Sequence, residues 1–198
     1  MDSESVSRES ATQRILDSAL ELFAIVGISR TSITDIARRA GVDRGTIYRR
    51  VGDLSSVINT ALTLEMNRVI DQIRSDIDPI SDLPERLQQA IVKTVQSTRS
   101  HPILVKELEI DRASALLAIA NVTPAIISAA SAFALSEIQQ ARRNSDKADP
   151  LPVADETVAQ ILVRLIHSLV LFPDAPPVLT TETELANFVK TSIAPLLA

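Results

Sequence analysis

Glycine and proline keep to separate territories in this chain of 198 residues. All four glycines lie at positions 27, 41, 45 and 52, and all ten prolines follow Asp78. Glycine supplies the positive φ of tight turns and helix C-caps, whereas proline starts or stops helices. The first territory therefore predicts short helices joined by sharp turns, and the second predicts longer helices punctuated by proline. No run alternates apolar and polar residues as a half-buried strand would. The expected fold class is all-α, in three stretches: a flexible N-terminal tail over 1–9, a three-helix unit over 10–52 and a helical bundle over 53–198.

Apolar spacing and caps place the helices. Ser10 with Gln13 reads as a capping box that opens a first helix running to Val26, with Ile15, Ala19, Phe23 and Val26 as its buried stripe. Ser32 and Asp35 form a second box, ahead of a short helix that turns Ile33, Ile36, Ala37 and Ala40 inward. Gly41-Val42-Asp43 then turns the chain into Arg44–Val51. Asp53 is expected to cap a long helix to about Ile77, with Ile58, Leu62, Met66, Val69, Ile73 and Ile77 on one face. Later helices are expected near 82–99, 102–120, 124–144, 155–171 and 182–197. The last is capped by Thr181 with Glu184, and 144–154 reads as an exposed loop.

Charge is distributed as unevenly as glycine. The chain as a whole carries −5. Between Gly27 and Gly52, however, six arginines (30, 38, 39, 44, 49, 50) face only Asp35 and Asp43, a local +4. After Gly52, 12 bases stand against 18 acids. A positive field confined to one short segment suits a molecule with one end turned towards a polyanion.

That segment, TSITDIARRAGVDRGTIYRRVG over 31–52, reads as a helix-turn-helix. Ile36, Ala37, Val42 and Ile47 are spaced to pack its two helices together. Arg44, Gly45, Thr46, Tyr48, Arg49 and Arg50 remain outward on the second helix, a composition suited to the major groove of DNA. Arginine reads guanine edges or pairs with phosphate, the hydroxyls of Thr46 and Tyr48 suit phosphate oxygens, and Gly45 leaves room for a close backbone approach. Ser32, at a helix N-terminus, adds an amide-rich anion site. The bland alternative is a solvated basic face on an ordinary bundle.

The run also resembles the TetR (tetracycline repressor-like) family, whose signature is close to T-[ST]-[VI]-x-x-I-A-x-x-A-G-V-x-x-G-T-[LI]-Y. The matching residues are Thr31, Ser32, Ile33, Ile36, Ala37, Ala40, Gly41, Val42, Gly45, Thr46, Ile47 and Tyr48. The upstream RILDSALELFAIVG is similar to the family's first helix. The resemblance is strong over about 14–60. Two positions depart from the pattern: Val51 stands where relatives often have phenylalanine, and Leu54 where they often have a phosphate-binding lysine. Arg49 and Arg50 are the expected substitutes for that phosphate contact.

The resemblance implies a transcriptional regulator, by default a repressor. It would bind an inverted-repeat operator as a homodimer and respond to a small effector, with the helix over 53–77 as the lever between the two events. A dimer also has a mechanical reason, since two recognition helices reach successive major grooves ~34–36 Å apart. The implied dimer face takes in Ala125, Ser128, Ala129, Ala132, Ile161, Leu165 and Leu169. The implied effector pocket takes in Met66, Leu104, Leu108, Leu116, Phe133 and His167, a lining for a mostly apolar molecule. For both sets a plain intramolecular core remains the alternative.

Other classes find little support. There is no nucleophile elbow, phosphate loop or metal-ligand spacing, so neither an enzyme, a cofactor nor a metal is expected. Glu107 and Glu109 read as solvated. The uncharged run over 113–136 is long enough for a bilayer but is interrupted at Asn121-Val122-Thr123-Pro124, and two soluble helices fit it better than a membrane span. With no cysteine and a polar N-terminus, a cytoplasmic location is expected. A helical protein-interaction scaffold would explain the helices and acidity, but not the clustered arginines beside Tyr48.

Overall fold

The computed structural model describes residues 3–111, 127–140, 143 and 154–193. These are helical, with no strand among the described residues. Helix α1 covers Ser3–Val26, α2 Ile33–Ala40, α3 Arg44–Arg50, α4 Leu54–Ile77, α5 Leu83–Arg99 and α6 Pro102–Ile110. Helix α7 covers 127–140, α8 Asp155–Leu171 and α9 Glu182–Phe188, which runs into a wider π-helical turn at Val189–Ile193.

The helices form two compact units. One runs to Arg68 and takes in the segment from His101; the other holds Val69–Ser100 and the described residues from 127 onward. Helix α4 therefore begins in one unit and ends in the other.

In the first unit, Ile15, Leu16, Ala19, Leu20 and Phe23 of α1 are buried against Ile33, Ile36, Ala37 and Ala40 of α2 and Ile47 of α3. Val57 and Ala61 of α4 and Ile103 of α6 complete this core. Burying each large aliphatic or aromatic side chain contributes about 1.5–3 kcal/mol, so a near-continuous apolar interior holds three very short elements in place. Val51 and Leu54, the two departures from the family pattern, both pack against the same core. Leu54 stands at a helix start where a lysine would face solvent, and here it serves packing instead.

The second unit buries charge as well as apolar surface. Arg86 of α5 and Glu137 of α7 are 7% and 4% exposed. Arg86 Nη2 and Nε donate to Glu137 Oε2 at 2.6 and 3.2 Å, and Arg86 Nη1 reaches the carbonyls of Asp78 and Ile80 at 3.4 Å each. The other carboxylate oxygen lies 3.5 Å from Arg74 Nε, and the Arg74 guanidinium sits 5.0 Å from the centre of the Phe133 ring. Arg99 donates to the carbonyls of Leu169 and Leu179, tying the end of α8 to the strap that follows it.

The structure corrects several sequence expectations. Helix α1 starts at Ser3 rather than Ser10; nothing between Ser3 and Ser10 is glycine or proline, and helix propagation overrides a possible cap. Val26 is 36% exposed because it ends α1, immediately before Gly27 turns the chain at φ +92°. On α4 the buried residues are Val57, Ala61, Ile73 and Ile77; one stripe cannot describe a helix that serves two cores. Helix α6 stops at Ile110, where Asp111 adopts extended backbone. Glu107, Glu109 and Asp111 crowd the negative end of that helix, which disfavours its continuation. Glu107 is not simply solvated: its Oε1 accepts the backbone N–H of Ile28 at 2.5 Å. The expected loop over 144–153 and the Thr123-Pro124 break lie outside the described residues.

Candidate nucleic-acid interface

The helix-turn-helix is built from local devices that the sequence spells out. Ser32 caps α2: its hydroxyl accepts the Asp35 N–H at 3.2 Å, and the Asp35 carboxylate accepts the Ser32 N–H at 3.2 Å and the Ser32 hydroxyl at 2.5 Å. Gly41 closes the helix in the left-handed region at φ +67°, a conformation that costs a side-chain-bearing residue about 1 kcal/mol or more. Asp43 then caps α3, accepting the Thr46 N–H at 2.8 Å and the Thr46 hydroxyl at 2.6 Å. Asp53 caps α4, accepting the Ser56 N–H at 2.8 Å and its hydroxyl at 2.7 Å. All three aspartates are held below the ordinary carboxylate range. The leading cause is the serine hydroxyl for Asp35, the threonine hydroxyl for Asp43 and the backbone N–H of Ser56 for Asp53.

These caps fix which way α3 faces. Ile47 is fully buried, so the helix can roll in neither direction without exposing it. Arg44, Gly45, Tyr48, Arg49 and Arg50 are all exposed on the outside, with Tyr48 at 50%, and Thr46 is half-buried. The structure thus brings together six of the seven residues that the sequence nominates for DNA. Ser32, the seventh, lies at the start of α2. Its anion site is already filled by the Asp35 carboxylate, so a phosphate there would compete with the cap.

Not every arginine of the basic segment belongs to this face. Arg39 pairs with Glu21 of α1 at 2.5 Å and Arg38 with Asp35 at 2.7 Å. Arg49 Nη2 donates to Thr46 Oγ1 at 3.0 Å. Sequence reasoning treated Asp43 only as part of the turn. Its role was readable all the same, since an aspartate immediately before the first residue of a helix is a favoured N-cap.

The residues nominated for an effector pocket do not gather in one unit. Met66, Leu104 and Leu108 are half-buried in the first unit; Phe133, under Arg74, and His167 belong to the second; Leu116 lies outside the described residues. Burial lowers the pKa of His167, which favours the neutral imidazole. An open groove of about 430 Å³ in the first unit is lined by Leu16, Asn59, Thr60, Thr63, Leu64 and Asn67, none of them a nominated residue. Of the nominated dimer face, Ile161 is 57% exposed, Ser128 and Ala132 are exposed, and Ala129 and Leu165 are half-buried. Leu169 is buried within its own unit, and Ala125 lies outside the described residues. No helix among the described residues is long and apolar enough to cross a membrane, and none of their side chains form a cluster able to hold a metal ion.

Residues 15–50 match the family model described as bacterial regulatory proteins, tetR family. Among curated proteins, the chain is 37% identical over 92 residues to the HTH-type transcriptional regulator AcrR of Shigella flexneri. That stretch covers 44% of this chain and 43% of the relative, so the chain spans less than half the length of that protein in the match. Among solved structures, the TetR family repressor AlkX from Dietzia sp., implicated in biodegradation of n-alkanes, aligns with a TM-score of 0.68 and 18% identity over 94% of each chain. The regulator FadR from Bacillus subtilis, solved in complex with stearoyl-CoA, aligns with a TM-score of 0.56 and 18% identity, covering 91% of this chain and 98% of that one. The all-helical architecture, with an N-terminal helix-turn-helix, is common to all of these structures.

Proposed function

We propose, for a chain that belongs to the TetR family of bacterial regulatory proteins and is a DNA-binding helix-turn-helix regulator, that it is a repressor which grips an inverted-repeat operator as a homodimer and answers to a small, mostly apolar effector. One observation carries the DNA reading: α3 is capped at its start by Asp43, anchored by the buried Ile47, and presents Arg44, Thr46, Tyr48, Arg49 and Arg50 outward together. Arg44 and Arg50 supply charge to the phosphates and Tyr48 a hydroxyl, so that the first turn of α3 meets base edges. With Leu54 given over to packing, Arg50 takes on the backbone contact that a lysine provides in relatives.

A single seven-residue helix reads too few base pairs for specificity, which is why the second copy matters. The exposed Ile161 of α8 and the small exposed Ser128 and Ala132 of α7 are the dimer face we assign. The effector class is supported by the stearoyl-CoA held by the FadR structure. Regulation follows by linkage: an effector that favours a conformation with the wrong spacing of recognition helices weakens DNA binding, and DNA weakens effector binding by the same factor. Helix α4, which takes part in both units, is the segment assigned to carry that coupling. We assign no catalytic role.

Selection of bound duplexes from a random DNA library, with the Arg49→Ala/Arg50→Ala variant as control, tests this reading. The expected result is an enriched inverted repeat that disappears in the control. Enrichment of single, unpaired half-sites would sink the homodimer, and an absence of salt-dependent duplex binding would sink the DNA reading altogether.

A further inference from the structure

The first turn of α3 contains a short chain of side chains that neither capping nor burial requires in full. Asp43 Oδ2 accepts the Thr46 hydroxyl at 2.6 Å, and the same oxygen of Thr46 accepts Arg49 Nη2 at 3.0 Å. A Cβ added at Gly45 would lie 3.0 Å from Asp43 Oδ1 and 3.4 Å from Arg49 Nη1. The Arg49 guanidinium therefore lies back towards the start of its own helix, within van der Waals reach of where a side chain at Gly45 would stand. Resting on the reading that α3 enters DNA, we propose that Asp43 and Thr46 are positioning residues which aim Arg49 at a base edge in the major groove, a guanine in each half-site, rather than leaving it to pair with phosphate.

The chemistry favours a base over a phosphate. A phosphate contact asks only for positive charge within reach and tolerates many side-chain conformations. Two-point contact with guanine O6 and N7 asks for a guanidinium plane held in one orientation, and a long arginine gives up considerable rotamer freedom to provide it. Thr46 meets part of that requirement before DNA arrives, because Arg49 stands three residues on, on the same helix face. One of the five guanidinium N–H donors is used, leaving enough for the base. Thr46 donates to a carboxylate, which makes its oxygen a stronger acceptor for Arg49. This also gives a reason for an aspartate on a DNA-facing turn: its charge is engaged by the Thr46 N–H and hydroxyl and by nearby Arg49, so it meets the phosphates already compensated. Gly45 acquires a role within the protein too, beyond any close approach of its backbone to DNA.

The test compares the full-length wild type with Thr46→Val, Thr46→Ser, Asp43→Asn and Arg49→Ala by sequencing the duplexes each selects. Salt-dependent affinity for a fixed non-specific duplex is measured alongside, and circular dichroism confirms folding. In Thr46→Val the guanine preference at one position per half-site should fall on the order of tenfold, with the non-specific salt slope unchanged. Arg49→Ala should lose the same preference at the same position, and a Thr46→Val/Arg49→Ala double variant should lose no more than Arg49→Ala alone. Thr46→Ser, which keeps the hydroxyl, should restore the preference. Asp43→Asn, which keeps a competent cap but removes the charge, should weaken it partly. The proposal is overturned if Arg49→Ala weakens all duplexes alike and flattens the salt slope, which would make Arg49 a phosphate ligand. It is also overturned if Thr46→Val keeps every base preference. A wild type that selects no sequence at all would overturn the DNA reading itself, a failure distinct from either of these.

Discussion

The two units handle charge in opposite ways. In the first, charged side chains stay at the surface and are recruited as caps by partners three residues away: Asp35 with Ser32, Asp43 with Thr46, Asp53 with Ser56. Its long-range carboxylate contacts are partly exposed, as in Arg39 with Glu21 and Arg68 with Asp17, and one of them, Glu107 to the amide of Ile28, serves the backbone of a turn. In the second unit, Arg86 and Glu137 are buried against each other across 51 residues of sequence. The contrast suits what each must do. A DNA-facing surface needs exposed cations on short elements whose direction is fixed locally. A bundle core has no such need, and burying the pair there costs the desolvation of two charges, which their mutual hydrogen bonds offset.

The sharpest way to probe that contrast is to break the buried pair. Glu137→Ala leaves Arg86 buried with the Asp78 and Ile80 carbonyls, each at 3.4 Å, and the exposed Asp78 carboxylate at 4.0 Å, and should destabilise the protein by about 3–5 kcal/mol in denaturant unfolding. Arg86→Met combined with Glu137→Leu should recover most of that loss, because the desolvation cost disappears with the charges. If the single variant costs under about 1 kcal/mol, the pair is not what the geometry implies.

In the first unit the comparable weak point is a turn. Gly27 sits at φ +92°, and an added Cβ would collide with Ile110 and lie 2.9 Å from Glu107 Oε1. Gly27→Ala should therefore cost about 2–3 kcal/mol through backbone strain and overpacking together. A loss below about 1 kcal/mol would mean that α6 yields easily at this joint.

Capping boxes allow a like-for-like test, because each unit has one. Ser32→Ala at α2 and Thr181→Ala at α9 each remove a hydroxyl that accepts an N3 amide, and each should cost about 1 kcal/mol. Equal losses would show that the boxes act alike in both units. A much larger loss at Ser32 would show that α2, only eight residues long, depends on its cap more than α9 does.

What the sequence made legible follows the same divide. Helix α2, its box, its buried set and its glycine end were readable because every determinant lies within ten residues. The outward face of α3 was readable for the same reason, together with Ile47 beneath it. The starts of α5 and α8 fall at or beside the expected 82 and 155, α5 with Asp82 as its cap and α8 without a side-chain cap. Arg86 with Glu137 was not, since nothing local distinguishes a buried arginine from a solvated one. Glu107 was misplaced because its partner is a backbone amide, which has no sequence signature. The stripe on α4 was legible in part: Ile73 and Ile77 are buried and Ile58 and Leu62 pack against the first core, but Val57 and Ala61 were missed, because one periodicity does not describe a helix that packs in two units. At the interface, the face of α3 was readable, but the link from Asp43 through Thr46 to Arg49 depends on rotamers that spacing alone does not specify.

The smallest expected effect separates the units by pH. In the second unit, burial lowers the pKa of His167, so the unfolded chain binds its proton more readily than the folded one. That contribution is fully present above the ordinary histidine range and is lost as pH falls through it. In the first unit, Asp35, Asp43 and Asp53 are held below the ordinary aspartate range by their caps. Their contribution is present above that range and is lost only as pH falls through it towards their lower folded values. Urea unfolding followed by circular dichroism should therefore show a shallow decline through the histidine range that His167→Gln abolishes. The fluorescence of Tyr48, the sole tyrosine in a chain without tryptophan, should report loss of the first unit only at the lower, carboxylate pH. If His167→Gln keeps the shallow decline, burial of His167 is not its origin. If Tyr48 responds already in the histidine range, the caps do not set the acid limit of the first unit.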